Sequence, residues 1–215
     1  MPSSTKPQNI TQEERKRLDV FALADDVKTL KEKLPFILEH DNAASVCGRL
    51  LVKASKSGSL GVVKLLLPLA NLHILEGIAL VMASQNGHTS VVEHLLTRQA
   101  WPHASYDKSL MFASQNGYTD IVKHLLPFAN PKADQSKALQ KASMKKHVDI
   151  FNLLYPLSEP KKALKAMNDA LVPESKMELL QTRINEVKAQ RTKHVLEVVL
   201  SPHMGKKGTK PKSKM

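Results

Sequence analysis

Nine histidines, one cysteine, twenty carboxylates and thirty-two basic side chains are the groups in this 215-residue chain with the chemistry to act as ligands, nucleophiles or acid-base groups. A zinc centre needs several His, Cys or carboxylate atoms converging on one ion at about 2.0–2.3 Å. His94 and His124 recur at a matching position, but on helices that would stack roughly 8–10 Å apart, and no thiolate or carboxylate joins them at the same level. No metal site is predicted. Cys47 lies between Val46 and Gly48 on a predicted helix and reads as a buried, inert thiol rather than a nucleophile. A lone cysteine also excludes a disulfide framework and fits a reducing compartment. The chain has no Gly-rich phosphate loop, nucleophile elbow or His-Glu-x-x-His helix, and its Ser and His residues are not grouped into a triad. The expectation is therefore of a non-enzyme, with no catalytic residue and no cofactor.

The formal charge of +12 suggests an anionic partner until it is located. Lys206, Lys207, Lys210, Lys212 and Lys214, with no acid among them, supply five of those charges, and residues from Arg183 onward supply seven. The excess belongs to a C-terminal appendage. Its functional readings are nuclear targeting or contact with phosphate, against a solubilising end. No aromatic is interleaved there for base stacking, which ranks nucleic acid below a protein partner. The start of the chain is polar, and the longest apolar run, from Val62 to Leu72, is broken by Lys64, Pro68 and Asn71. Neither a secretory signal nor a membrane span is predicted. The expected setting is the cytoplasm, with the nucleus, or a host cell reached without a signal peptide, as alternatives.

The remaining chain is organised by a repeat. Leu51–Leu67, Leu80–Leu96, Leu110–Leu126 and Leu139–Tyr155 align, and their anchors Ala54, Ala83, Ala113 and Ala142 fall 29, 30 and 29 residues apart. Each segment predicts two short antiparallel helices. The first ends near Gly58, Gly87 or Gly117, where a left-handed residue stops a helix at little cost. Thr89 and Thr119 are expected to cap the second, which carries Val-Val or Ile-Val and then Leu-Leu as an apolar stripe. Pro68 and Pro127 end it. One such hairpin cannot bury its stripe alone, so neighbours must stack.

The blocks ASQNGHTSVVEHLL (Ala83–Leu96) and ASQNGYTDIVKHLL (Ala113–Leu126) closely resemble the core of the ankyrin repeat. The resemblance covers residues 49 to about 157. The usual Thr-Pro-Leu-His opening is absent and the period falls short of about 33 residues, so blunt loops replace the projecting hairpin finger. Finger-poor repeats of this kind resemble diverged ankyrin proteins of intracellular bacteria, amoebae and their large viruses, which makes a host protein one implied target. The expected architecture is an all-α ankyrin-like repeat solenoid of stacked helical hairpins with degenerate caps. It divides into a disordered N-terminus (1–12), a cap repeat (13–48) that sets Ala24 opposite Ala54, four repeats (49–157), a degenerate repeat with a capping helix (158–200, the helix over Glu174–Leu200), and a basic disordered tail (201–215).

The resemblance implies a mode of action as well as a fold: a monomeric, non-catalytic adaptor that binds another protein through the concave face and inter-repeat loops. The alternative is a nuclear or nucleic-acid-associated factor using the lysine tail. On the ankyrin pattern the groove ladder is Val52, Val81, Met111 and Gln140, and the inward ladder is Lys53, Met82, Phe112 and Lys141. Val81 and Met111 would then be exposed and flanked by Gln85, Asn86, Gln115 and Asn116, an apolar patch with an amide border. If the shortened loops rotate the helices, Val81 and Met111 become core instead. Trp101 and Tyr106, in the connection from Arg98 to Tyr106, are either interface anchors or packing across the junction. His88 is expected to hydrogen-bond near its turn.

Overall fold

The computed structural model describes residues 9–70, 75–97, 103–169 and 174–200, and these residues contain helices and turns but no strand. The helices are α1 (Gln12–Leu23), α2 (Val27–Leu38), α3 (Ala43–Ser57), α4 (Leu60–Leu66), α5 (Leu75–Asn86) and α6 (Thr89–Leu96). They continue with α7 (His103–Asn116), α8 (Thr119–Leu125), α9 (Ala133–Met144), α10 (Val148–Leu154), α11 (Pro160–Asp169) and α12 (Glu174–Leu200), with a 3-10 turn at Tyr155–Leu157. Helices α1, α3, α5, α7, α9 and α11 stack in order as an inner column, and α2, α4, α6, α8 and α10 form an outer one. This is the all-α solenoid that the repeat predicts.

The inner helices meet through small and aliphatic side chains at fixed repeat positions. Leu51, Leu80, Leu110 and Leu139 and the anchors Ala54, Ala83, Ala113 and Ala142 are all buried. The outer helices contribute Val62-Val63, Val91-Val92, Ile121-Val122 and Ile150-Phe151, all buried in one continuous core. Removing such side chains from water stabilises each by about 1.5–3 kcal/mol, and every repeat relies on its neighbour for that burial. Beside each anchor alanine lies a buried serine, and the hydroxyls of Ser55, Ser84, Ser114 and Ser143 have no hydrogen-bond partner. Nothing in the structure explains this column of serines.

Each hairpin turns on one left-handed residue. Gly58, Gly87 and Gly117 have φ of 81°, 81° and 83°, and the next residue donates its N–H back to the anchor, as from His88 to the Ala83 carbonyl at 3.0 Å. That geometry corrects the expected caps. The N-cap positions of the outer helices are His88 and Tyr118, one residue before the threonines, and neither makes a side-chain cap bond. The backbone carbonyls of these two residues already accept from Val92 and Val122, at 3.0 Å each, so Thr89 and Thr119 fall inside the first turn.

The two ends are built differently. Ile10 is buried, and Thr11 and Glu14 form a reciprocal capping box on α1, so the described fold reaches back ahead of residue 13. Asp26 caps α2 through the Thr29 N–H at 3.0 Å. The hinge bond runs from the Asp26 N–H to the Phe21 carbonyl at 3.0 Å, with Asp25 at φ 55°. Phe21, not Ala24, is therefore the counterpart of Ala54. At the other end α11 packs on α9, and the long α12 rests on α9 and α11. Within α9, Asp134, Gln135 and Ser136 have left-handed φ of 48°, 58° and 62°, a conformation that disfavours L-residues by roughly 1–2 kcal/mol each. The Glu159 N–H holds this turn by donating to Ser136 Oγ at 2.8 Å.

Candidate functional site

The exposed side of the inner column carries the residues expected to face a groove, but stacking sorts them unevenly. Val52, Met111 and Gln140 are half-buried, whereas Val81 is only 8% exposed. Helix α5 is packed closely between α3 and α7, and Val81 is buried in that stack. The expectation that Val81 is exposed is thus corrected. The inward ladder is also less deep than expected, since Lys53, Met82, Phe112 and Lys141 are all half-buried. Lys53 does meet the cap: its Nζ lies 2.5 Å from Asp19 Oδ2, and Arg49 pairs with the other oxygen of the same carboxylate.

Of the amide border, Gln85 and Gln115 are half-buried and Asn86 and Asn116 exposed. Asn86 Nδ2 donates to the Met82 carbonyl at 2.8 Å within its own helix. Asn116 Nδ2 instead crosses the junction to the Gln85 carbonyl at 2.7 Å. This bond is one rung of a ladder that the sequence did not reveal. Ser59 Oγ donates to the Leu23 carbonyl at 3.3 Å, while His88 Nε2 lies 2.9 Å from the Lys56 carbonyl and His147 Nε2 3.1 Å from that of Gln115. The acceptors are the orphan carbonyls that close each inner helix, each satisfied by the following repeat. His88 therefore bonds across the junction rather than to its own turn. At three of these junctions the side chain is that of the residue immediately after the hinge, Ser59, His88 or His147, whereas Asn116 precedes Gly117.

Tyr106 belongs to the core rather than to a loop. Helix α7 begins at His103, and Tyr106, 3% exposed, stacks on Phe128 with ring centroids 5.5 Å apart. The helix extends into the connection and turns the ring inward, so Tyr106 offers no anchor to a partner. Trp101 and the lysines Lys206, Lys207, Lys210, Lys212 and Lys214 lie outside the described residues.

Beside Met111 the column opens into a hollow of about 210 Å³ between α7 and the start of α9. Asp107, Lys108, Asn130, Asp134 and Lys137 surround it with mixed charge over an apolar floor. Asp107 Oδ1 accepts the Asn130 N–H at 2.7 Å, which fixes the turn leading into α9. The left-handed Asp134 sets the far wall. Cys47 is fully enclosed, and burial pushes its thiol above the ordinary value, a setting that opposes thiolate reactivity. His124 Nε2 lies 2.9 Å from Glu93 Oε1 of the preceding repeat. Among the described residues no group of three or more His, Cys, Asp and Glu is placed to hold a metal, and no helix is long and apolar enough to cross a membrane.

The hinges, anchors and stacked hairpins are those of one repeat family, and residues 80–165 match the family model described as ankyrin repeats (3 copies). Residues 80–165 are ankyrin repeats, which supports the reading of the chain as an ankyrin-repeat protein. No curated protein matches it in sequence. Ankyrin repeats generally mediate protein–protein interaction and are typically a non-catalytic module, which agrees with a surface that offers side chains for contact around a rigid stack.

Proposed function

We propose that this protein is a non-catalytic adaptor that holds a partner protein across the exposed side of the inner column, centred on Met111 and the α7–α9 hollow. The observation that carries this reading is the hollow itself, where a half-buried methionine opens onto a cavity of about 210 Å³ bordered by two aspartates and two lysines. An adaptable apolar contact inside a polar border is the composition of a recognition patch. Gln115, one turn along α7, and Val52 and Gln85, on α3 and α5, extend the face. Val81 is left out because it is buried.

The test is affinity capture from lysate with the intact chain against Met111→Glu, both checked by circular dichroism and melting temperature. The expected result is a specific partner retained about tenfold less well by the variant, and unchanged by deletion of Gly205–Met215. Equal capture by a folded Met111→Glu variant would remove this face as the binding site. Loss of capture on the deletion would move the activity to the lysine tail.

A further inference from the structure

The array begins on a hairpin whose open side is unlike that of a capping repeat. Terminal repeats keep a solenoid soluble by turning a polar face to water. Here α1 and α2 enclose an open groove of about 420 Å³, and every residue lining it belongs to these two helices. Its floor is Leu18, Phe21 and Phe36. Phe36 is 41% exposed, and Val20, one helical turn beyond the rim residue Arg17, is 61% exposed. Leu23 and Leu38, on the same two helices, are each 50% exposed. Exposed large apolar side chains among the described residues therefore concentrate on this hairpin. The groove is bordered by two acids and two bases. Glu14 is engaged by Thr11, and Arg17 pairs with Glu13 at 3.5 Å. Glu32 and Lys33, adjacent on α2 and both exposed, have no ion pair or hydrogen bond among the described residues.

We infer that this face is a two-fold interface between two copies of the chain. Phe36 of each copy enters the α1–α2 groove of the other, and Glu32 of each meets Lys33 of the other. Charge selects this occupant. Residues 1–50 carry eight basic and eight acidic side chains, so the whole +12 lies beyond them. Two N-terminal ends meet without net repulsion, whereas a head-to-tail contact sets the balanced end against a basic one and gains no net attraction. An unpaired acid beside an unpaired base is self-complementary about a two-fold axis, because residue i then contacts j while j contacts i. A strongly acidic or strongly basic partner would find one of the two opposing it. The contact closes as a dimer and does not run on as a filament. It departs from the monomer that the family resemblance implies. For the adaptor, and resting on the reading above, one dimer presents two Met111 faces.

The experiment is sedimentation equilibrium on the full chain over a concentration series reaching about 1 mM. The native chain is expected to pass from monomer to dimer and no further. Glu32→Lys and Lys33→Glu, both at exposed positions and checked for folding by circular dichroism, should each weaken the dimer about tenfold. Two further samples separate a two-fold contact from a general effect of charge. The double variant Glu32→Lys/Lys33→Glu exchanges the partners and should dimerise like the native chain. An equimolar mixture of the two single variants sets two acids against two lysines and should associate more tightly than either variant alone. Phe36→Ser should weaken the dimer at any salt concentration, while the effects of the charge reversals fade as salt rises. Met111→Glu and deletion of Ser201–Met215 should leave it unchanged. The inference is overturned if the native chain stays monomeric throughout the series, or if it grows past a dimer. It is also overturned if a single charge reversal or Phe36→Ser dimerises like the native chain at low salt. Failure of the double variant or of the mixture to regain association, or loss of the dimer on deleting the tail, overturns it equally.

Discussion

The middle junctions of the array and its terminal junctions solve the same turn with different residues, and the difference shows what the hinge glycine is for. At Gly58, Gly87 and Gly117 the ring of the following repeat stands directly over the turn. A Cβ at those positions would meet His88 at 2.6 Å, Tyr118 at 2.7 Å and His147 at 2.7 Å. At the N-terminal junction the residue over the turn is Ser59, which reaches the Leu23 carbonyl, and the hinge is Asp25. With no ring overhead it keeps a side chain, and its carboxylate accepts the Val62 N–H at 2.9 Å and the Gly61 N–H at 3.4 Å, capping α4. Within the fourth repeat the hinge, between α9 and α10, is Lys146, at φ 62° and exposed. Positive φ alone is met by Asp or Lys at a modest cost. Glycine is demanded where a neighbour's ring occupies the space of the side chain.

The largest expected effect breaks a middle junction. Gly87→Val places a β-branched residue at φ 81° and drives it into the Tyr118 ring, so urea unfolding should show a loss of about 3 kcal/mol, from backbone strain plus overpacking. A loss under 1 kcal/mol would mean that the ring moves aside freely. Next comes the N-terminal ion network. Asp19→Asn leaves Arg49 and Lys53, both partly exposed, without their carboxylate. The expected cost is about 1–2 kcal/mol, with hydrogen exchange rising in α1 and not in α7.

The contrast predicts the opposite sign at the other end. Lys146→Gly relieves a left-handed residue with nothing else to disturb and should stabilise the protein by about 1 kcal/mol. A destabilised variant would show that the Lys146 side chain has a role in the C-terminal packing. The smallest effect concerns acid. The Thr11 N–H holds the Glu14 carboxyl below its ordinary value, and the Thr29 N–H does the same for Asp26. Their contributions are therefore complete above the unfolded values of 4.5 and 3.8 and disappear as pH falls through the depressed folded ones. Amide exchange should rise in α1 and α2 below about pH 4 before it rises in α7. Asp26→Asn should remove the response in α2.

Much of the fold was legible because it is repeated and local. The anchor alanines, the hinge glycines and the doubled aliphatics each state a helical period or a left-handed turn, and the stack places them as that reading requires. The helix over Glu174–Leu200 is present with the bounds expected. Less of the candidate site was. Thr89 and Thr119 looked like caps because the hinge bond, which moves the cap position one residue earlier, has no sequence signature of its own. Tyr106 looked like a loop residue because the start of α7 depends on what the connection packs against.

The sequence by itself determined the repeat register, the paired helices and the positions where the chain reverses, since backbone conformation and apolar periodicity are properties of a few neighbouring residues. Only the tertiary structure decided which of those residues a partner can touch. Val81 and Met111 hold the same repeat position, yet one is covered and the other opens onto a hollow. Their exposure depends on how closely and at what rotation the adjacent helices lie, and that is set by turns, caps and neighbours far along the chain. The groove between α1 and α2 exists for the same reason: it is space left between helices, which no single helix encodes.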